Sequence, residues 1–284
     1  MDEIIRAIAA NGMIRMTAID SRNMVERMRE IHGMSRVVTA AAGRTITAAS
    51  IIGSSLKGKN DSVTVRINGG GPAGTILCVS DSEGNARGYA ANSRVELPLK
   101  PNGKLDVSGA VGTHGMLTVI KDLNLKEPYV GSVELVSGEI AEDFTAYFTS
   151  SEQIPSACAL GVLIGHDGSV CAAGGYVVQL LPGADEELAA SLEQSVLQIG
   201  AVTSVLNGGS VEDLVQMVLL GFDPVLLDRR SVSYRCYCSK EKVLAAISGI
   251  DRKELDEMRR EAEPIEVTCQ FCDKVYTFDP EELA

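Results

Sequence analysis

The clearest chemical pattern in the chain is a set of four cysteines near its end. Cys236-Tyr237-Cys238 is followed thirty residues later by Cys269-Gln270-Phe271-Cys272. Four thiolates in two close pairs can set four sulfurs tetrahedrally about one Zn²⁺, at about 2.3 Å each. The C-x-x-C half has a common zinc-ligand spacing, whereas the C-x-C half is tighter than most. Other readings of the same residues stay open. Cys269 and Cys272 could be the dithiol of a thiol–disulfide oxidoreductase, although that chemistry favours a pair at a helix N-terminus. The four could also form a constitutive zinc-bound interaction module. Cys78, Cys158 and Cys171 sit among apolar neighbours and read as small buried hydrophobes. An odd total of seven cysteines in a long chain argues against a disulfide framework and for a reducing, cytosolic compartment.

These cysteines need elements to position them. Ser239–Ile247 and Asp251–Arg260 read as helices, the second with Asp251 and Glu254 as a capping box. Ile265–Thr268 and Lys274–Phe278 read as strands flanking the Cys269–Cys272 turn, a zinc-knuckle hairpin. Residues 231–284 hold five of the twelve aromatics and carry a net charge of −4. So small a domain rarely stabilises itself by core burial alone and needs a staple.

The preceding region, 181–230, is acidic, with a net charge of −6. Leu188, Leu192, Val196, Ile199, Val202 and Leu206 recur at steps of three and four, which predicts one helix with an apolar stripe. Gly208-Gly209 stops it, and Ser210 with Asp213 fits a capping box for a helix at Val211–Leu220.

Residues 1–180 alternate between the two periods. Helical pattern marks Asp2–Ala10, Met24–Ile31, Ser35–Leu56 and Ala141–Ser150. Strand pattern marks the alternation around Val63, Val65 and Ile67, then Thr75–Val79, Met116–Ile120, Ser132–Val136 and Gly175–Leu180. The expectation is an α+β fold: a mixed helix/sheet core domain at 1–180, a helical acidic linker at 181–230, and a small four-cysteine zinc-binding domain at 231–284.

Composition excludes several functions. The chain has 284 residues, a net charge of −12 and a pI of about 4.8, so general binding to nucleic acid or anionic membranes is disfavoured. The start, Met1-Asp2-Glu3-Ile4-Ile5-Arg6, lacks the form of a secretory signal. Val37–Leu56 contains Arg44 and few large apolar residues, and reads as a buried helix rather than a membrane span. Gly69–Gly74 matches G-x-G-x-x-G, but a strand follows where a dinucleotide site needs a helix, so it reads as a turn. His166 reads as a loop residue, with a Cys–His hydrolase built on Cys158 or Cys171 as the competing view. Glu139, Glu142 and Asp143 read as the solvated start of a helix. No catalytic or organic-cofactor residues are assigned.

The cysteine spacing resembles the signature of the redox-regulated 33-kDa heat-shock chaperone family. So do Gly112-Thr113 with Leu117-Thr118-Val119, Gly138–Asp143, Ser151–Ser156, Gly174-Gly175-Tyr176 and Gln179–Ala184, and the likeness spans nearly the whole chain. The resemblance implies an ATP-independent cytoplasmic holdase rather than an enzyme. Reduced, it would bind one Zn²⁺ per chain through Cys236, Cys238, Cys269 and Cys272 and be largely inactive. Oxidised, it would form Cys236–Cys238 and Cys269–Cys272 disulfides, release zinc, unfold its C-terminal half and hold unfolded client proteins. The active form would be a homodimer able to exchange elements.

Overall fold

The computed structural model describes residues 1–247, 249–250 and 264–282. They fall into two compact units, Met1–Tyr234 and Arg235–Ala284. The sequence-predicted helix at Asp251–Arg260 lies outside the described residues.

The larger unit is built on two five-stranded antiparallel sheets. The first has the order β10 (Val225–Ser231), β1 (Glu3–Ala9), β2 (Ile14–Asp20), β9 (Val170–Leu180) and β8 (Ser156–Ile164). The second has the order β5 (Ala86–Ala90), β4 (Ile76–Asp81), β3 (Ser62–Asn68), β6 (Met116–Asp122) and β7 (Tyr129–Glu134). Helices α1 (Arg22–His32), α2 (Arg36–Ser54), α3 (Val107–Val111) and α4 (Ala141–Ser150) complete the body. Three more, α5 (Glu186–Gln198), α6 (Val202–Leu206) and α7 (Val211–Val218), return to the first sheet.

Helix α2 touches both sheets, and every residue in it except Arg36 and Arg44 is buried. That position explains its Ala, Gly, Ser and Thr composition. A Cβ at Gly43 would come within 2.8 Å of Val25 and Val162. The hydroxyls a dry helix would otherwise strand bond back to its own carbonyls, Thr45 to Ala41 at 2.9 Å and Thr47 to Gly43 at 2.7 Å. It is the one described helix long and apolar enough to cross a membrane, and 94% of that stretch is buried inside the protein.

The first sheet is covered on both faces. Ile4 and Ile19 point into the core around α1 and α2. Ile5, Ala7, Ile14, Met16, Tyr176 and Val178 point the other way, against Leu192, Val202, Leu206, Leu214 and Val215 of α5, α6 and α7. This two-sided burial corrects the expectation at Asp2–Ala10. That segment is strand β1, flanked by β2 and β10. Buried Asp2 instead accepts from the Asn23 and Met24 amides at 2.9 and 2.6 Å, closing the N-terminus of α1.

The apolar stripe from Leu188 to Leu206 is also not one helix. Gly200 adopts a left-handed φ of 67° between α5 and α6, and this bend lets both segments follow the sheet. The capping box at Ser210 is present: Asp213 N donates to Ser210 Oγ at 3.1 Å, and Ser210 N donates to the Asp213 carboxylate at 2.8 Å. The glycine-rich turn joins β3 to β4 as expected. A Cβ at Gly71 would run into the Val111 and Gly112 backbone, so the turn needs glycine for close approach rather than for phosphate. Of the acidic cluster at 139–143, Glu142 is exposed in the first turn of α4 as expected, but the other two acids are engaged by the protein. Asp143 is fully buried and accepts from the amides of Val136, Ser137, Gly138 and Ile140, while Glu139 pairs with Arg44 and Lys100.

In the smaller unit, α8 (Lys240–Ile247) accompanies a hairpin of β11 (Ile265–Thr268) and β12 (Val275–Phe278). Among the described residues its buried apolar set is only Ile247, Tyr276 and Phe278.

Candidate metal centre

The hairpin connection between β11 and β12 is shaped by its own backbone. Cys269 N donates to Lys274 O at 2.9 Å, and the amides of Cys272 and Asp273 turn back onto Cys269 O at 3.3 and 2.9 Å. Asp273 takes a left-handed φ of 54°, which tightens the turn and brings Cys269 and Cys272 to one side. Cys236 and Cys238 come from the extended segment that leads into α8. Ser239 starts that helix, its hydroxyl accepting from Lys242 N at 3.3 Å.

The four sulfurs converge. Cys236 Sγ lies 3.7 Å from Cys269 Sγ, Cys238 Sγ lies 3.5 Å from Cys272 Sγ, and all four fall within 4.8 Å of one another. A tetrahedron with metal–sulfur bonds of about 2.3 Å has edges of about 3.8 Å. The cluster is therefore the right size for one ion, and an all-sulfur donor set suits a soft or borderline divalent metal. These residues can hold a metal ion, and the sequence-predicted quartet is brought together without exception.

The surroundings tune the sulfurs unequally. The Tyr276 hydroxyl donates to Cys238 Sγ at 3.1 Å. Burial works against the Cys238 thiolate, but this hydroxyl and the neighbouring thiols outweigh it and bring the thiol down to about 7. Burial pushes the Cys236 and Cys272 thiols up. Donating to Cys238 in turn pushes the Tyr276 phenol up. Tyr276 was not singled out from the sequence. Its signal was the period-2 alternation of β12, which turns Tyr276 and Phe278 inward.

The other three cysteines are elsewhere. Cys78 is fully buried in the core on β4, and burial pushes its thiol and that of Cys158 far up, as expected of inert residues. His166 is exposed in the turn between β8 and β9, and among the described residues it makes no hydrogen bond to Cys158 or Cys171.

Fold and site together define a two-unit α+β protein, a mixed helix/sheet body followed by a small four-cysteine unit able to hold a metal. The family model described as "Hsp33 protein" matches residues 2–279. A 33 kDa chaperonin of Clostridioides difficile (strain 630) is 50% identical over 283 residues, 99% of this chain and 97% of that one. One from Alkaliphilus metalliredigens (strain QYMF) is 47% identical over 281 residues, with 99% and 96% covered. The crystal structure of the 33 kDa chaperonin (heat shock protein 33 homolog) from Thermotoga maritima superposes with a TM-score of 0.90 at 36% identity, covering 99% of this chain and 96% of that one. The chain belongs to the Hsp33 family, and its role is that of a chaperone.

Proposed function

We propose that this protein is a cytoplasmic, ATP-independent holdase switched on by oxidation. The convergence of four sulfurs within 4.8 Å, in a unit with only a three-residue buried apolar set among its described residues, carries the reading. Cys236, Cys238, Cys269 and Cys272 are the ligands of one Zn²⁺ per chain in the reduced form. Bound zinc would supply about 10–16 kcal/mol of folding free energy to so small a unit. Residues 1–180 act as the core domain, 181–230 as the linker and 231–284 as the switch.

The chain's own thiols perform the switching. The Cys238 thiolate, favoured by Tyr276, attacks hydrogen peroxide, forming a sulfenic acid and releasing hydroxide. The Cys236 thiol then attacks that sulfur, closing the Cys236–Cys238 disulfide and releasing water. Cys269 and Cys272 close theirs in the same way with a second peroxide. Each disulfide takes two electrons from two thiols and reduces one peroxide to two waters. Once the sulfurs are oxidised the ligands are gone, and the small unit loses its staple. The linker helices then leave the first sheet, and unfolded clients bind the apolar surface uncovered. The active species is a homodimer. The oxidoreductase reading on Cys269 and Cys272 is disfavoured, because that pair sits in a hairpin turn and not at a helix N-terminus.

The test is light scattering from a thermally unfolding client. Suppression is expected from protein pretreated with peroxide at mild heat and not from reduced, zinc-loaded protein. Equal behaviour of the two samples would refute the switch.

A further inference from the structure

The larger unit contains a cleft of about 610 Å³ that the chaperone reading does not use. It lies where the C-terminal end of α2 meets the first sheet, with the β4–β5 turn, β6 and the segment after α4 closing its sides. Its charge is opposite to that of the protein. In a chain of net charge −12, the lining carries six cations, Arg6, Arg15, Lys57, Lys59, Lys121 and Arg230, against two carboxylates, Glu83 and Glu152. Part of this charge is answered internally: Arg6 and Arg230 share Asp228, and Lys121 pairs with Glu152. Arg15 has only a neutral acceptor, Gln179 Oε1 at 2.6 Å. Lys57 and Lys59 are exposed and form no ion pair among the described residues. Nor are they needed to answer the end of α2. The hydroxyls of Ser54 and Ser55 already bond the last carbonyls, those of Ile51 and Ile52, at 2.8 and 2.6 Å.

The rest of the lining combines the polar side chains of Thr17, Ser55, Ser82 and Gln179 with an apolar set. Ile51, Ile52, Phe148 and Val177 each present a surface that is less than a tenth exposed. A concavity of this volume, with apolar groups in its wall and an excess of convergent cations, has the make-up of a small-molecule site. Cations along a cleft with low-dielectric walls focus the field on an incoming anion.

We propose that this cleft binds a small amphiphilic organic anion, its apolar body against Ile51, Ile52, Phe148 and Val177 and its acidic head held by Arg15, Lys57 and Lys59. The site is separate from the four cysteines, since every residue in it belongs to the Met1–Tyr234 unit. The test is titration of the reduced, zinc-loaded full chain with decanoate, followed by calorimetry and by backbone amide NMR shifts. Decyltrimethylammonium and inorganic phosphate serve as comparison probes. The expected result is one saturable decanoate site whose shifts map to the lining. Decyltrimethylammonium should not bind, and phosphate should bind more weakly than decanoate. The double variant Lys57→Glu/Lys59→Glu changes only exposed side chains, and should weaken decanoate by about tenfold or more. The proposal is overturned if the cationic probe binds as well as decanoate, if phosphate alone matches it, or if the double variant leaves the affinity unchanged.

Discussion

Leu192 is the side chain on which docking of α5 most depends. It is 5% exposed, the only fully buried residue of that helix, and packs with Val202, Leu206 and the sheet residues around Ile5 and Met16. Besides it, Leu188 and Val196 are half-covered, and one hydrogen bond, Ser195 Oγ to Val218 O at 2.7 Å, ties α5 to α7. Replacing Leu192 with Ser removes the isobutyl group and leaves a hydroxyl in its cavity, at a cost of about 3–5 kcal/mol. The whole cost falls on the docked state, because an undocked helix has Leu192 in water. At about 1.4 kcal/mol per factor of ten, the undocked population rises roughly 100- to 4,000-fold. A peripheral helix with so few anchors opens with a free energy far below that of global unfolding, so this shift is large enough to measure. Amide hydrogen exchange over 186–198 in the reduced, metal-loaded protein should accelerate to that extent. The same sample should begin to suppress client aggregation without any oxidant, and adding Ile199→Ser should extend the effect. Leu197→Ser is the control, the same change on the same helix at a residue 68% exposed, and should do neither. Fast exchange in Leu192→Ser with no gain in client binding would refute the idea that the surface under α5 is what clients use.

Three further outcomes are expected. Tyr276→Phe removes the hydroxyl donor to Cys238 Sγ, so the reduced, metal-loaded variant should give up its metal to a chromophoric chelator faster than the wild type does. Asp143→Ala strands the four amides that its carboxylate receives, and should lower stability by about 2–5 kcal/mol in urea melts, with the loss confined to the larger unit. Zinc chelation of the reduced protein should erase the NMR signals of the β11–β12 hairpin while leaving those of the two large sheets in place.

What could be read from sequence followed the number of faces each segment buries. The cysteine quartet was legible because ligand spacing survives any packing, and the hairpin around Cys269 and Cys272 was legible because β11 and β12 each bury one face. On β3 the alternation of Val63, Val65 and Ile67 was plain for the same reason. Strand β1 was not, because its sheet is covered on both sides. Ile4 faces one core and Ile5 the other, so the period of two disappears and the run imitates a helix. Strands β2, β8 and β10 were missed, as was β5, a short strand of five residues that includes Gly88. Asp143 was misread because composition favours acids in any first helical turn. Only the structure reveals that this one turns inward to gather four amides. Tyr276 needed the fold to bring β12 beside Cys238.

The covering of the first sheet by α5, α6 and α7 has a consequence for affinity. These helices are joined to the sheet they cover by the short turn at Leu181–Ala184 at one end and by β10 at the other. They behave as a ligand tethered to its own receptor, at an effective concentration in the millimolar range. Any molecule that binds that face must compete with a resident that never diffuses away, so even weak docking keeps the surface closed. The tether has two anchors, and losing the pairing of β10 with β1 would leave the helices held at Leu181–Ala184 alone, lengthening the leash and diluting the competitor without altering a single contact between the helices and β2, β8 or β9.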